Sequence, residues 1–512
     1  MNAIELPHTY AANLAPRVVG AQQRVPVLDG TLRRYINLDN AASTPALREV
    51  KDTVDQFMHW YSSVHRGAGF KSRVATQAYE DARHIVMEFV GADPATHVAI
   101  FGKNTTEAIN KLAARVDLGA DDVVLVSQLE HHSNDLPWRA RARVEHVRAD
   151  ALGRLDEAHL DVLLERFAGR VRIVAVTGGS NVTGHLPDIY RIAVKAHAAG
   201  AQIFVDAAQL APHRAIDMGA LDDPAHLDYI AISAHKMYAP FGTGALIGRR
   251  DTFERGAPEQ RGGGTVMFVS HDDVTWAAGP DRDEAGSPNV VGAVALAAAV
   301  QALAREGMDR LAHHETMLTA HALTRFATVP GVRVYGDADP ARAADRLGVI
   351  TFNVEGLSHA LVAAILSTEF AIGVRNGCFC AHPYLMHLLG LSAVEAADVR
   401  RDILNGDARA MPGMVRISFG LYNTIAEVDA VVDALAVIAR GEFAGVYMQD
   451  PASGEYAAVG FAPDLALHFR LRTLRAATRV SLRAPLRDER GVRLRRFGAR
   501  SAVAATQATP AP

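Results

Sequence analysis

Lys236 ends the apolar run in "AISAHKMYAPFGTGALIG" and is followed by a glycine-bearing loop. A lysine desolvated at such a place has a lowered pKa and acts as a Schiff-base nucleophile. Taken alone, it reads equally well as a lysine pointing to solvent. Upstream, "IFVDAAQ" puts Asp206 at the end of another hydrophobic run. A carboxylate there is costly unless a cation meets it. A pyridinium nitrogen is such a cation, and lysine with aspartate is the pair expected around pyridoxal 5'-phosphate. A buried Asp206–Lys236 ion pair is the plain alternative.

Three more segments add polar groups at the ends of apolar runs. "GKNTTEAIN" follows a strand pattern and opens a helical one, so Thr105 and Thr106 can present hydroxyl and amide groups to a phosphate. Ordinary helix capping explains the same threonines. "SQLEHHSND" places His131 where an imidazole could stack on a flat ring, and "GGSNVTGHLPDI" places Asn181 where an amide could bond a ring hydroxyl. Each is weak alone; together they describe one phosphate, one ring and one Schiff base.

Both cysteines lie in "VRNGCFCAHP", Val374 to Pro383. A zinc corner needs about four ligands, and Cys378 and Cys380 with only His382 and His387 nearby make a poor set. A redox pair is more naturally C-x-x-C at a helix start. Two buried core thiols, or a nucleophile on a mobile loop, remain open.

The elements that must carry these residues show in the apolar pattern. "HVAIFG", "DVVLVS", "VRIVAVTG", "AQIFVDAA", "LDYIAISAH" and "GALIGRR" read as strands, with helical spacing in "TTEAINKLAARV" and "LPDIYRIAVKAHAAG" between them. This alternation predicts an α/β fold with a mainly parallel sheet covered by helices on both faces, and ligands outside the strands' carboxyl ends. After about Gly307 the order changes to helix, strand ("VRVYG", "LGVITFNV"), helix, cysteine loop, "MVRISFGLY" and the helix "AEVDAVVDALAVIA", predicting a smaller α+β domain. The division expected is an N-terminal arm over 1–36, a large domain over 37–307, a small domain over 308–440 and an extension over 441–512. From Gly441 the periodicity fades into an Arg-rich tail whose Ala/Thr/Pro end is expected to be disordered.

With 512 residues, 49% hydrophobic and 21% charged, the chain has the profile of a globular protein. Its net charge of −4 gives no reason to expect nucleic acid or an anionic membrane as partner. Two cysteines cannot make a disulfide framework, and the start "MNAIELPHTY" does not read as a signal peptide, so the cytoplasm is expected. The stretch Val290–Ala304 is too short to span a bilayer and reads as a buried helix.

In "NLDNAASTP", "HRGAG", "NTTEAIN", "EHHSNDLPW", "SNVTG", "VDAAQ", "SAHKMYAPFGTGAL", "AGSPN", "VRNGCFCAHP" and "VRISFGLYNT", taken in order from Leu38 to Ala439, the chain resembles the class V aminotransferase family of pyridoxal-phosphate enzymes. These have fold type I, with a seven-stranded sheet in the large domain. Within the family it is most similar to the group II cysteine desulfurases, which include selenocysteine lyases. The resemblance implies that Lys236 carries the cofactor and shuttles the substrate's Cα proton, while Asp206 keeps the pyridine nitrogen protonated. Gln209 would bond the ring oxygen and His131 stack on the ring. Thr106, Ser233 and His235, beside Thr105, would hold the phosphate, with Ser287 reaching that of a second subunit in a homodimer with shared sites. Arg416 would pair with the substrate carboxylate, helped by Asn181, the backbone near Ala41, and Arg375.

Cys380, directly before Ala381 and Pro383, would attack the sulfur of L-cysteine, giving alanine and a persulfide for an acceptor protein. Cys378 departs from the family, where many members have histidine, and reads as structural or auxiliary. The connection over 392–413 is longer than the family's usual one, and a lid over the site or a changed acceptor surface are both open readings of it. The same resemblance leaves a selenocysteine lyase, another C–S lyase or an epimerase as the alternative activity.

Overall fold

Six apolar runs become strands of one sheet: His97–Gly102 (β1), Val123–Ser127 (β2), Val171–Thr177 (β4), Gln202–Asp206 (β5), Tyr229–Ser233 (β6) and Gly244–Arg249 (β7). Arg143–Val147 is a further strand, β3. The computed structural model describes residues 14–65 and 67–471; the Arg-rich tail and its expected disorder lie outside the described residues. The seven strands are ordered β1-β7-β6-β5-β4-β2-β3. Neighbours pair in parallel except at β7, which is antiparallel to both β1 and β6.

Every residue of β2 and β6 is buried, as expected where helices cover both faces of a parallel sheet. Successive side chains point to opposite faces. Leu125 therefore joins one core with Phe101, Ile203 and the helix Phe70–Phe89 (α1), whereas Val124 and Val126 join another with Ile100, Phe204 and Thr105–Arg115 (α2). Strand β3 escapes the apolar pattern because it is an edge strand, with Arg143, Glu145 and His146 only partly covered. Val290–Glu306 (α4, after Ile189–Ala198 as α3) is buried over most of its surface in the first core. No single described helix is long and apolar enough to cross a membrane.

The second sheet is antiparallel: Val332–Tyr335 (β8), Val349–Val354 (β9), Arg375–Gly377 (β10) and Met414–Ser418 (β11), ordered β8-β9-β11-β10. Met308–Phe326 (α5), His359–Phe370 (α6) and Ile425–Ala439 (α9) share its core, where Phe326, Phe352, Leu366, Ile417 and Leu435 are fully covered or nearly so. Residues of the N-terminal segment also attach here: Ile36–Asn37 pairs in parallel with Ile372–Gly373.

Two segments carry elements of their own. The longer connection contains a helix, Ala393–Leu404 (α8, after His382–Leu389 as α7), with a Ser392–Glu395 capping box and no buried residue. None of its described residues lines the cavity described below. The extension does not simply fade, because Tyr447–Gln449 (β12) and Tyr456–Ala458 (β13) form an antiparallel hairpin in the same compact unit, which runs to Phe461. Strands of three residues are too short for an alternating pattern to register.

Candidate active site

The parallel strands β4, β5 and β6 end on Thr177, Asp206 and Ser233, and all three residues line one cavity of about 190 Å³. The antiparallel β7 brings its first residue to the same end, with Gly244 opposite both Ser233 and Gly102. A Cβ on Gly244 would lie 2.7 Å from Asn104 Cα and 2.6 Å from the Ile232 carbonyl oxygen. Only glycine lets α2 begin this close to the strand ends.

Lys236 closes a short turn after β6 and lines the cavity. Burial pushes its ammonium pKa down to about 8, against the pull of Asp206, with Arg416 adding to the fall. Part of its surface remains open, and the cavity accounts for that opening. Burial raises the pKa of the Asp206 carboxyl, opposed by the Ala208 amide and by Lys236. Among the described residues, that carboxylate accepts one hydrogen bond, from Ala208 N–H at 3.0 Å. Two imidazoles flank the lysine's surroundings in neutral form. His131 and His235 are both lowered to about 4, by burial first and then by Lys236. Ser133 N–H donates to His131 Nδ1 at 3.1 Å, so the ring proton sits on Nε2.

At the start of α2, Asn104 caps the helix by accepting Glu107 N–H at 3.0 Å. Thr105 N–H donates to Ser233 Oγ at 2.9 Å, and the Thr105 and Ser233 hydroxyls are 2.8 Å apart. The Thr106 and Ser133 hydroxyls are 2.7 Å apart. Four hydroxyls therefore gather at the positive end of a helix. Gln209 Nε2 donates to the Ala41 carbonyl at 2.7 Å.

On the other wall, Arg416 of β11 is buried. It donates to the Asn181 carbonyl at 3.0 Å and to Asp39 Oδ1 at 3.0 Å, and its guanidinium lies 4.8 Å from the Phe379 ring centre. Burial lowers its pKa, with Asp39 offsetting the effect. Its Nε has no hydrogen-bond partner among the described residues. Arg375 is exposed, lines the same cavity, and approaches Asp39 Oδ2 at 3.9 Å.

Cys380 is exposed at the cavity, whereas Cys378 is half-buried with its thiol pKa pushed up by burial. Phe379 and Cys380 both adopt left-handed backbone, φ 53° and 55°, at a cost of about 1–2 kcal/mol each. Neighbouring elements hold the loop in this shape. Asn181 Nδ2 donates to the Phe379 carbonyl at 2.7 Å, and His132 N–H donates to the Cys380 carbonyl at 2.7 Å. His382 N–H donates to His132 Nε2 at 3.1 Å, with the two rings stacked.

The cavity thus brings together Ala41, Thr105, Thr106, His131, Asn181, Asp206, Gln209, Ser233, His235, Lys236, Arg375, Cys380 and Arg416. Ser287 is not among its lining residues and is exposed. Sequence reasoning overlooked Asp39, although it lies inside "NLDNAASTP", and Ser133 inside "EHHSND". It also overlooked Glu130, a buried carboxyl raised by burial to about 8 that accepts from Thr177 N–H at 2.6 Å and Asn134 Nδ2 at 2.7 Å.

A seven-stranded α/β sheet with a lysine, an aspartate and a helix N-terminus at its carboxyl end matches one known architecture. The aminotransferase class-V family model matches residues 36–431, and the chain belongs to that family. It is 36% identical to a cysteine desulfurase of Dickeya dadantii over 413 residues, 79% of this chain and 92% of the relative. It is 34% identical to one of Haloferax volcanii over 409 residues, 78% of this chain and 88% of that protein. Among solved structures, the cysteine desulfurase CsdA of Escherichia coli, in an S-sulfonic acid form, aligns with TM-score 0.69 at 31% identity, over 85% of this chain and 99% of that one. The apo cysteine desulfurase of Thermococcus onnurineus aligns with TM-score 0.67 at 31% identity, over 80% and 95%.

Proposed function

We propose that this chain is a pyridoxal-phosphate-dependent cysteine desulfurase that moves the sulfur of L-cysteine to Cys380 as a persulfide and releases L-alanine. One observation carries the reading: exposed Cys380 lines the same cavity as Lys236, Asp206 and Arg416. The cysteine desulfurases among its relatives support it.

The residues present fit the cofactor. The Asp206 carboxylate has acceptor capacity to spare for a pyridinium N–H, and neutral His131 suits an aromatic face. Thr105, Thr106, Ser233 and His235 make a phosphate subsite at the N-terminus of α2, and Gln209 and Asn181 supply amides for the ring oxygen. When bound, the cofactor supplies an electron sink for the substrate's Cα. Lys236, held partly as the free amine near neutral pH, is the covalent anchor, and its Nζ carries the Cα proton. Arg416 binds the substrate carboxylate, with Arg375 and the backbone of Ala41 beside it. The Cys380 thiolate bonds to the substrate's sulfur as that sulfur's bond to Cβ breaks, and Cβ takes a proton to complete alanine. The left-handed backbone at Phe379 and Cys380 presents the thiol to the cavity.

In this reading residues 37–307 and 308–440 are the large and small domains. Exposed Ser287 completes the phosphate site of a second copy in a homodimer, and a protein acceptor takes the persulfide in the cytoplasm. Incubation with L-cysteine and a reductant is expected to yield alanine and sulfide. Cys380→Ala should abolish both while leaving the cofactor absorbance intact. Desulfuration retained in that variant would rule out the nucleophile, and pyruvate with ammonia in place of alanine would overturn the reaction.

A further inference from the structure

The family match ends at residue 431, and the β12–β13 hairpin lies beyond it. It is nevertheless built onto the elements that lead to Cys380. At its start, the Glu369 carboxylate of α6 accepts Ala444 N–H, Gly445 N–H and the Tyr447 hydroxyl, each at 2.9 Å. At its turn, Ala408 N–H donates to the Pro451 carbonyl at 2.8 Å, and a Cβ on Gly454 would lie 2.5 Å from the Ala408 carbonyl oxygen. Directly after Gly454, the Glu455 carboxylate accepts from Asn376 Nδ2, which lies 3.1 Å from Oε1 and 3.3 Å from Oε2.

Asn376 is the middle residue of β10, paired with Val415, while its neighbour Arg375 pairs with Arg416 and lines the cavity. Alternation along the strand sends Arg375 to the site and Asn376 to the hairpin. Gly377, at φ 103°, has no side chain to fix it, so Asn376 is the last side-chain hold before Cys378. The far side of the loop is held by Asn181 and His132. Two consecutive left-handed residues persist only where both ends are restrained.

We propose that Glu455 is a positioning residue for Cys380: through Asn376 it fixes the root of the cysteine loop, so that an extension outside the family core sets where the thiol stands. The proposal rests on the reading of Cys380 as the sulfur acceptor. Its test uses the holoenzyme, with iodoacetamide alkylation read at Cys380 by peptide fragmentation, alongside kcat and KM for L-cysteine. Glu455→Ala should change the alkylation rate and lower kcat by roughly three- to tenfold, the size of one ordinary hydrogen bond, with KM and cofactor absorbance unmoved. Glu455→Gln keeps an acceptor oxygen and should stay near the parent. Asn376→Asp sets two carboxylates together and should copy Glu455→Ala, and the double variant Asn376→Asp/Glu455→Gln should recover by restoring a donor–acceptor pair. Parental alkylation and kcat in Glu455→Ala, or no recovery in the double variant, overturns the proposal. If the parent makes no alanine, the functional reading fails, and the alkylation series still decides the positioning role.

Discussion

Lys236 and Arg416 are both made useful by burial, in opposite senses. Burial brings the lysine pKa to about 8 from its ordinary 10.5, so the free amine appears well below the usual range. The rate at which apoenzyme takes up pyridoxal phosphate should therefore rise with pH through about 8, and a rise centred near 10.5 would contradict the buried site. Arginine stays charged under the same burial, because its lowered pKa still starts from 12.5 and Asp39 supports the cation. Lysine at this position would be a point charge without the planar fork. Arg416→Lys should raise KM for L-cysteine by at least tenfold, about 1.4 kcal/mol, while cofactor affinity stays near the parent value. Steady-state kinetics with a separate cofactor titration checks both.

At the scale of elements, the site depends on how closely helices approach strand ends. Gly244→Ala would push β7 into the Asn104 backbone, where neither partner is a flexible side chain. A loss of about 1–3 kcal/mol is expected in urea unfolding, with weaker cofactor binding because Thr105 shifts with α2 away from Ser233 of β6. Helix α5 is tied to the segment after β5 through Glu315, which pairs with His213 at 2.9 Å and Arg214 at 2.6 Å. Burial alone would raise this carboxyl, but His213 and Arg214 outweigh it and hold it at about 2 against an ordinary 4.5. A depressed carboxyl stabilises fully above its unfolded pKa and loses that contribution as pH falls towards its folded one. The melting-temperature gap between the parent and Glu315→Gln should be constant above about pH 5 and shrink between pH 4.5 and 2.

For the whole molecule, one copy leaves Ser287 away from the cavity, on the exposed segment before α4. The proposed homodimer makes a distinctive prediction. Lys236→Ala and Ser287→Glu proteins, each impaired alone, should regain activity when subunits exchange, because one mixed site then has both residues intact. Mixed dimers that form without regained activity would remove Ser287 from the partner's site.

The amino-acid sequence by itself determined the fold class and the neighbourhood of the chemistry. Apolar runs of the right length force strands, helical spacing forces cover on both faces, and polar residues at run ends such as Asp206 and Ser233 must then meet at one edge. These are short-range signals, legible in windows of a dozen residues. Tertiary structure alone decided the pairings that cross the chain. Asp39 meets Arg416 from 377 positions away, and Glu455 meets Asn376 from 79. Edge strand β3, half-exposed, and the hairpin β12–β13, too short to show a period, became visible only once their neighbours were in place. So did the restraint on "VRNGCFCAHP": its cysteines differ because Cys378 packs against the core cluster that includes Tyr384 and Met414, while Cys380 is turned out to the cavity. That distinction comes from packing between elements, which no local pattern encodes.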